Sequence, residues 1–315
     1  MNESDPIRAL IDAGRIDEAV AQVEDGARAG DPASLWRLAD WRLFGLYGPQ
    51  DFGAAHMALA AAAAKGLAKA GRARAYLIAA GIGCAPDFEG AVAMLRAVDD
   101  AESREQLALL EVSPGFSEAM GAPRTILSER PLIVRITGFA SAEECDYLAM
   151  RSADALQPAL VVDPVTGDGK PDPVRRSDAM SILALDEDLV VHNLNRRIAA
   201  ATGTSTRQGE PLNVLRYAPG QEFRRHHDAY AGVPGPTQRI LTVLVWLNDG
   251  YSGGETVFTE LGLRVAGRKG DALVFRNTLD DGRRDERGWH AGAPVGSGEK
   301  WLASRWIRAG VYTPE

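Results

Sequence analysis

Cysteine is scarce in this chain, and long apolar runs are missing. Cys84 and Cys145 are far apart and outside any CxxC spacing, which excludes a disulfide framework and argues against a cysteine-based zinc site. No run of about 18 apolar residues is present that could span a bilayer. The N-terminal residues also lack the apolar segment of a secretory signal. We therefore expect a cytoplasmic protein with no membrane partner.

An excess of positive charge is missing as well. The net charge is -8 and the pI is about 5.3, whereas phosphate binding needs a concentrated positive field. Basic residues between Arg264 and Arg287 are interleaved with acidic ones, which indicates a solvated face of mixed charge. We expect no nucleic-acid partner. The hydrophobic share of 45% is typical of a globular chain that can bury a sizeable core.

The first hundred or so residues are rich in alanine and carry almost no strand pattern, so we predict helices there. They also repeat, since Asp51-Phe52 recurs 36 residues later as Asp87-Phe88. A helical period in the thirties is typical of stacked helix-turn-helix repeats, although an ordinary alanine-rich bundle is the alternative. Further pairs at the same spacing are Ala19 and Ala55, Gly30 and Gly66, Gly45 and Gly81, and Leu59 and Leu95.

This pattern resembles Sel1-like repeats, relatives of the tetratricopeptide class, over about residues 6–112. In those repeats a first helix ends in glycine and the second begins with an acidic and aromatic pair, as Gly45 and then Asp51-Phe52 do here. The resemblance implies an N-terminal α-helical domain over residues 1–115. Its surface is a candidate for binding a protein partner or an extended substrate, or else it covers and stabilises the second domain.

From about Pro131 the texture changes to short β-branched and apolar runs separated by turn residues. Ser141 and Glu144 have the spacing of a capping box at a helix N-terminus. Many short strands with turns between them indicate an antiparallel sandwich or barrel. We expect a second domain over residues 120–315, after a linker near Val112–Arg124. The predicted strands include 131–137, 240–247, 272–275 and 301–307.

The sequence His226-His227-Asp228 is a candidate metal site. Residues two apart on a strand share a face, so His226 and Asp228 project together while His227 points away. His290, which lies 62 residues beyond Asp228, is the candidate third ligand, because the other two histidines lie in predicted helices. Two histidines and one carboxylate form the facial triad of non-haem Fe(II) oxygenases, although an HxD pattern alone is a weak signal.

The surrounding motifs resemble the prolyl-4-hydroxylase-type branch of the 2-oxoglutarate/Fe(II) dioxygenases. The match covers about residues 125–310 and is strongest at 212–308. It implies an α+β chain whose second domain is a double-stranded β-helix (jelly-roll) with its core at 208–310. The residues that carry it are Tyr217, Gly220-Gln221, Phe223, His226-His227-Asp228, Gly253–Phe258, Gly270–Phe275, His290 and Lys300, ten residues after His290.

The resemblance also implies cofactors and roles. Fe(II) is held by the triad, and 2-oxoglutarate has its far carboxylate on Lys300, with Tyr217 and Thr242 as hydroxyl donors to the same carboxylate. Molecular oxygen is a cosubstrate and L-ascorbate the expected reductant. The intact carboxylate of Asp228 favours hydroxylation over halogenation, since halide takes that place in the related halogenases.

The implied reaction decarboxylates 2-oxoglutarate to succinate and hydroxylates an unactivated C–H bond. The family favours a prolyl residue of a peptide or protein as acceptor, and a free amino acid or other small metabolite is the alternative. A catalytically degenerate, repeat-based adaptor is a third reading, which the complete triad disfavours. The polar, Gly- and Pro-rich loop 163–173 is equally typical of a lid and of a plain surface connection.

Overall fold

A computed structural model describes residues 5–114, 121–162, 169–171, 174–232 and 234–313. The chain divides into two compact units. One, called here the helical unit, comprises Met1–Ala108, Ala184–His192 and Thr313–Glu315; the other, the sheet unit, comprises Leu109–Leu183 and Asn193–Tyr312. None of the helices in the described ranges is long and apolar enough to cross a membrane.

The first part of the chain is helical, as predicted. Its helices are short and joined by tight turns. They are α1 (Pro6–Asp12), α2 (Ile16–Ala29), α3 (Pro32–Phe44), α4 (Phe52–Ala64), α5 (Ala68–Ala80), α6 (Phe88–Val98) and α7 (Ala101–Val112).

The repeat spacing corresponds to equivalent helix ends. Asp51 and Asp87 are the N-caps of α4 and α6, and each carboxylate accepts a hydrogen bond from the main-chain N–H three residues on. Gly45 and Gly81 end α3 and α5 in the left-handed conformation that favours glycine. The helix-turn-helix period read from the sequence is therefore present in the structure, while the Sel1-like assignment stays a prediction.

The same spacing also marks buried positions. Ala19, Ala55 and Ala91 each have 0% exposure, and so do Leu59 and Leu95. A side chain as small as alanine lets neighbouring helices approach closely, which explains why the repeat preserves it.

A later stretch of chain, residues 184–192, also belongs to the helical unit. Leu185 lies in the hydrophobic cluster that contains Leu59 and Leu77, and His192 stacks on Phe88 with 5.9 Å between ring centroids. The sequence analysis had divided the chain at residues 115–120 and had assigned this stretch to the second domain. The structure assigns it to the helical unit instead.

The sheet unit is built mainly of short strands, with the helix α8 (Ala142–Ala153) and the larger part of α9 (Leu189–Thr202), whose first residues belong to the helical unit. The strands before the metal motif are β1 (Arg124–Glu129), β2 (Leu132–Ile136), β3 (Gln157–Pro158), β4 (Leu160–Val162), β5 (Gly169–Pro171), β6 (Asp178–Ile182) and β7 (Leu212–Tyr217). From the motif on they are β8 (Phe223–His226), β9 (Arg239–Trp246), β10 (Ser252–Gly253), β11 (Thr256–Phe258), β12 (Leu263–Val265), β13 (Ala272–Arg276), β14 (His290–Gly292), β15 (Val295–Ser297) and β16 (Lys300–Arg308).

The strands pair antiparallel. One sheet has the order β1-β2-β13-β9-β16-β7-β6-β3, another the order β12-β11-β14-β8, and β10-β15 and β4-β5 form two-stranded ribbons. A single hydrophobic cluster joins Ile133 and Leu273 of the first sheet with Phe258 and Val265 of the second. Two antiparallel sheets packed through one core fit the double-stranded β-helix expected from the sequence.

The local sequence signals of this half are largely confirmed. Strands β2, β9, β13 and β16 agree with the predicted segments to within about one residue, and Ser141 and Glu144 form the predicted capping box at the start of α8. Residues 115–120 of the expected linker lie outside the described residues. The same is true of residues 163–168 and 172–173 of the candidate lid.

Candidate active site

Two neighbouring strands bring the triad together. His226 is the last residue of β8 and His290 is the first of β14, and the two are directly opposite each other in the antiparallel register. Asp228 follows just beyond the end of β8. One ligand atom from each of the three residues lies within 4.8 Å of the others. Asp228 and His290 are buried, whereas His226 is half-buried.

Both imidazole rings are oriented by the main chain. Nδ1 of His226 lies 2.8 Å from the carbonyl oxygen of Arg224, and Nδ1 of His290 lies 2.9 Å from that of Gly288. Because a carbonyl can only accept, each Nδ1 carries the ring proton and each Nε2 keeps its lone pair. These Nε2 atoms lie 3.5 and 3.6 Å from the Asp228 oxygens. The donor atoms therefore converge in the tautomer that metal ligation requires.

The protonation states also suit a metal. Burial alone would raise the pKa of Asp228, but His290, His226 and a hydrogen bond from Thr242 outweigh it and hold that pKa well below its usual range. Burial lowers the pKa of His290 to about 4. At neutral pH the site consequently offers an ionised carboxylate and a neutral imidazole.

Thr242 is placed differently from its expected role beside Lys300. Its hydroxyl donates to Oδ2 of Asp228 at 2.6 Å and accepts from the Asn277 amide at 2.9 Å. The register of the sheet gives the reason, because Thr242 on β9 pairs with Trp306, six residues beyond Lys300 on β16. At about 3.3 Å per residue this places the Cα atom of Thr242 roughly 20 Å along the sheet from that of Lys300, although both side chains line the same cavity. The Thr242 hydroxyl thus orients the carboxylate of the triad.

Lys300 opens β16 directly opposite Tyr217 of β7. Its ammonium donates to the carbonyl oxygen of Gly254 at 2.5 Å and lies 5.6 Å from the centre of the Tyr217 ring. Among the described residues no carboxylate forms an ion pair with it, and burial lowers its pKa to about 8. A buried cation of this kind favours an anionic ligand.

The triad and Lys300 line one cavity. Its walls include Tyr217 and the buried hydroxyl residue Thr256, two residues beyond Gly254. Thr256 was missed from the sequence, although it lies within the Gly253–Phe258 motif that carries the resemblance. The other wall residues are mostly apolar and include Leu215, Phe223, Leu244, Leu302 and Trp306.

The sequence of the site matches a known family. Residues 212–308 match the profile of the 2OG-Fe(II) oxygenase superfamily. Prolyl 4-hydroxylase 1 of Arabidopsis thaliana is 35% identical over 200 residues, which cover 58% of this chain and 71% of that protein. Probable prolyl 4-hydroxylase 9 of the same plant is 34% identical over 212 residues, covering 61% and 74% of the two chains.

The viral collagen prolyl hydroxylase of Paramecium Bursaria Chlorella virus-1, in its 2OG complex, is 26% identical with a TM-score of 0.46, and the alignment covers 56% of this chain and 96% of that one. On the sequence matches, the chain belongs to the 2OG-Fe(II) oxygenase superfamily and is a 2-oxoglutarate-dependent dioxygenase. Within that superfamily it is prolyl 4-hydroxylase-like.

Proposed function

We propose that His226, Asp228 and His290 hold the Fe(II) of this dioxygenase. The supporting observation is the donor set itself, which consists of one carboxylate and two imidazoles whose Nδ1 atoms are already bonded to the main chain. Non-haem Fe(II) oxygenases use this donor set and leave the remaining coordination positions open. Thr242 donates to Oδ2 of Asp228 and in turn accepts from the Asn277 amide, and this chain of bonds fixes the direction of the carboxylate.

We further propose that Lys300 binds the far carboxylate of 2-oxoglutarate. The ammonium is buried, lines the same cavity as the triad and donates a hydrogen bond to the carbonyl oxygen of Gly254. Tyr217 is opposite it, and Thr256 adds a buried hydroxyl residue to the same cavity. Thr256 is therefore a further candidate for the hydroxyl role that the sequence analysis gave to Thr242.

Fe(II), when bound with 2-oxoglutarate and O2, supplies the oxidant that hydroxylates an unactivated C–H bond, with release of succinate and CO2. The chain's part is to position and to exclude water. Lys300 fixes one end of the dicarboxylate, the triad fixes the metal, and apolar walls such as Leu215, Leu244 and Leu302 keep bulk water from the cavity.

A prolyl residue of a peptide or protein is the proposed acceptor. Support comes from the prolyl 4-hydroxylase relatives, which are 35% and 34% identical to this chain over 200 and 212 residues. Ascorbate is the proposed reductant, as the family implies. We assign the chemistry to the domain at 120–315, and we propose that the Sel1-like helical repeats at 1–115 contact a protein partner or substrate.

The test is turnover by the full-length protein with Fe(II), 2-oxoglutarate and ascorbate in the presence of proline-containing peptides. We expect succinate formation that rises with peptide, and a peptide mass increased by one oxygen atom. Matched peptides with alanine in place of proline, and free proline, are the controls. Oxidation of free proline alone would favour the small-metabolite alternative, and succinate formation that no proline compound stimulates would contradict a prolyl acceptor.

A further inference from the structure

The third histidine of the motif, His227, is oriented differently from the two beside the carboxylate. Its Nδ1 accepts a hydrogen bond from the main-chain N–H of Ala229 at 3.0 Å, so the ring proton is on Nε2. Nε2 is 2.9 Å from the carbonyl oxygen of Asp285, to which it donates. This is the opposite tautomer from that of His226, and it leaves His227 without a free lone pair for a metal.

We propose that His227 is a positioning residue that links the two segments carrying the metal ligands. This inference rests on the proposed Fe(II) site. One segment is His226–Asp228, and the other is the short stretch that runs from Asp285 to His290. The ring of His227 is covalently part of the first segment and hydrogen-bonded to the second.

The link continues to the ring of His290. The carbonyl of Asp285 accepts from both His227 and the main-chain N–H of Gly288, the latter at 2.8 Å. Gly288 in turn provides the carbonyl that accepts from Nδ1 of His290 at 2.9 Å. A displacement of the 285–288 turn would therefore move the acceptor that orients the His290 ligand.

Packing shows how closely the ring of His227 fits this turn. A Cβ atom added at Gly288 would lie 2.9 Å from Nε2 of His227, nearer than such atoms approach without a shift. The ring of Trp289 meets that of His227 edge-on at 5.6 Å, and the Arg225 guanidinium covers Trp289 at 4.1 Å. The turn and the ring thus form one packed unit.

Asp228 depends on His227 for a second reason. It lies beyond the end of β8, so strand pairing does not hold its main chain. The bond from Ala229 N–H to His227 spans Asp228 and constrains the turn that carries it. His227 consequently contributes to the placement of both Asp228 and His290.

Three substitutions separate these contacts. His227→Gln places an amide nitrogen near the position of Nε2 and can still donate to Asp285. His227→Asn retains an acceptor near Nδ1 for the Ala229 N–H, but it is too short to reach Asp285. His227→Phe keeps the ring and its contact with Trp289 while removing both hydrogen bonds.

The measurement is Mn(II) affinity of the metal-free full-length protein by titration calorimetry, alongside thermal unfolding without metal. We expect the Asn and Phe variants to bind Mn(II) about ten- to a hundredfold more weakly, the range for lost outer contacts of a metal site. The Gln variant, which keeps the donor to Asp285 and loses the acceptor for Ala229, should fall between the Phe variant and the natural protein, and metal-free unfolding should change little. If the Asn or the Phe variant fails to fold, the Mn(II) affinity of the Gln variant is compared with that of the other one.

Equal Mn(II) affinity in the natural protein and the Asn or Phe variant would overturn the positioning role, and so would an equal loss in Gln and Phe. Failure of the natural protein itself to bind Mn(II) would instead overturn the metal site on which the inference rests.

Discussion

Tyr217 and Lys300 are directly opposite each other on the antiparallel strands β7 and β16, with the ammonium 5.6 Å from the centre of the ring. The pair places a buried cation and a buried aromatic hydroxyl residue in the cavity that also contains the triad. A buried ammonium is unfavourable unless a partner compensates for its lost hydration. We propose that the far carboxylate of 2-oxoglutarate is this partner.

Lys300→Ala should lose 2-oxoglutarate affinity and keep the metal. Removing one partner of a buried charge pair costs about 3–5 kcal/mol, which corresponds to a loss of two to three decades or more in affinity. Calorimetry with the Mn(II)-loaded protein would measure both constants. Lys269→Ala is the matched control, because that lysine pairs with Asp146 at the surface. Equal 2-oxoglutarate affinity in Lys300→Ala and Lys269→Ala would show that another group binds the carboxylate.

The pH dependence of 2-oxoglutarate binding follows from the same lysine. Burial lowers the pKa of Lys300 to about 8 in the free protein, and a bound carboxylate raises that pKa because it favours the charged form. Binding therefore takes up a proton above pH 8, so affinity should fall about tenfold per pH unit there. The Lys300→Arg side chain stays charged at these pH values. Its affinity for 2-oxoglutarate, whatever its size, should therefore not fall as the pH rises above 8. A flat profile in the natural protein would contradict the role of the ammonium.

Two buried threonines should affect different ligands. Thr242→Val removes the hydroxyl that donates to Asp228, so we expect Mn(II) affinity to fall about tenfold or more. Thr256→Val keeps the shape of a residue that lines the cavity and removes its hydroxyl. We expect the affinity for 2-oxoglutarate to fall about three- to tenfold, the effect of losing one hydrogen bond. Titrations of each variant with each ligand check the assignment. It is wrong if both substitutions weaken the same ligand.

Stability of the sheet unit should depend on the buried pair formed by Glu144 and Arg197. Both side chains are 1% exposed, and Nη2 of Arg197 lies 2.5 Å from Oε1 of Glu144. Arg197→Met would leave the Glu144 charge buried without its partner, at a cost of about 3–5 kcal/mol. Arg283→Met removes an exposed pair with Asp281 and should cost no more than about 1 kcal/mol. Urea unfolding followed by circular dichroism compares them, and similar losses in both would contradict the argument.

Residue type and spacing were sufficient to predict much of the fold. The aspartates that cap α4 and α6, and the capping box of Ser141 and Glu144, are local signals that depend on neighbours within a few residues. The burial of Leu185 among the helices depends on contacts that are distant in sequence, so no local pattern could predict it.

The candidate site shows the same limit. His226 and Asp228 were predicted to lie together because they are two residues apart, whereas His290 was chosen as the third ligand because the other two histidines lie in predicted helices. The choice between Thr242 and Thr256 required the register, since both are buried threonines in strands. A slip in register changes which residues meet across the sheet, and spacing in one strand does not fix it.

The most direct measurement is an anaerobic titration of the metal-free protein with Fe(II) and then 2-oxoglutarate, followed by visible absorbance. We predict a weak charge-transfer band that appears only with both additions and saturates at one Fe(II) per chain. A His226→Ala, Asp228→Ala double variant should give no band and bind no Fe(II). Full iron binding and an undiminished band in that double variant would contradict the assignment of the metal site.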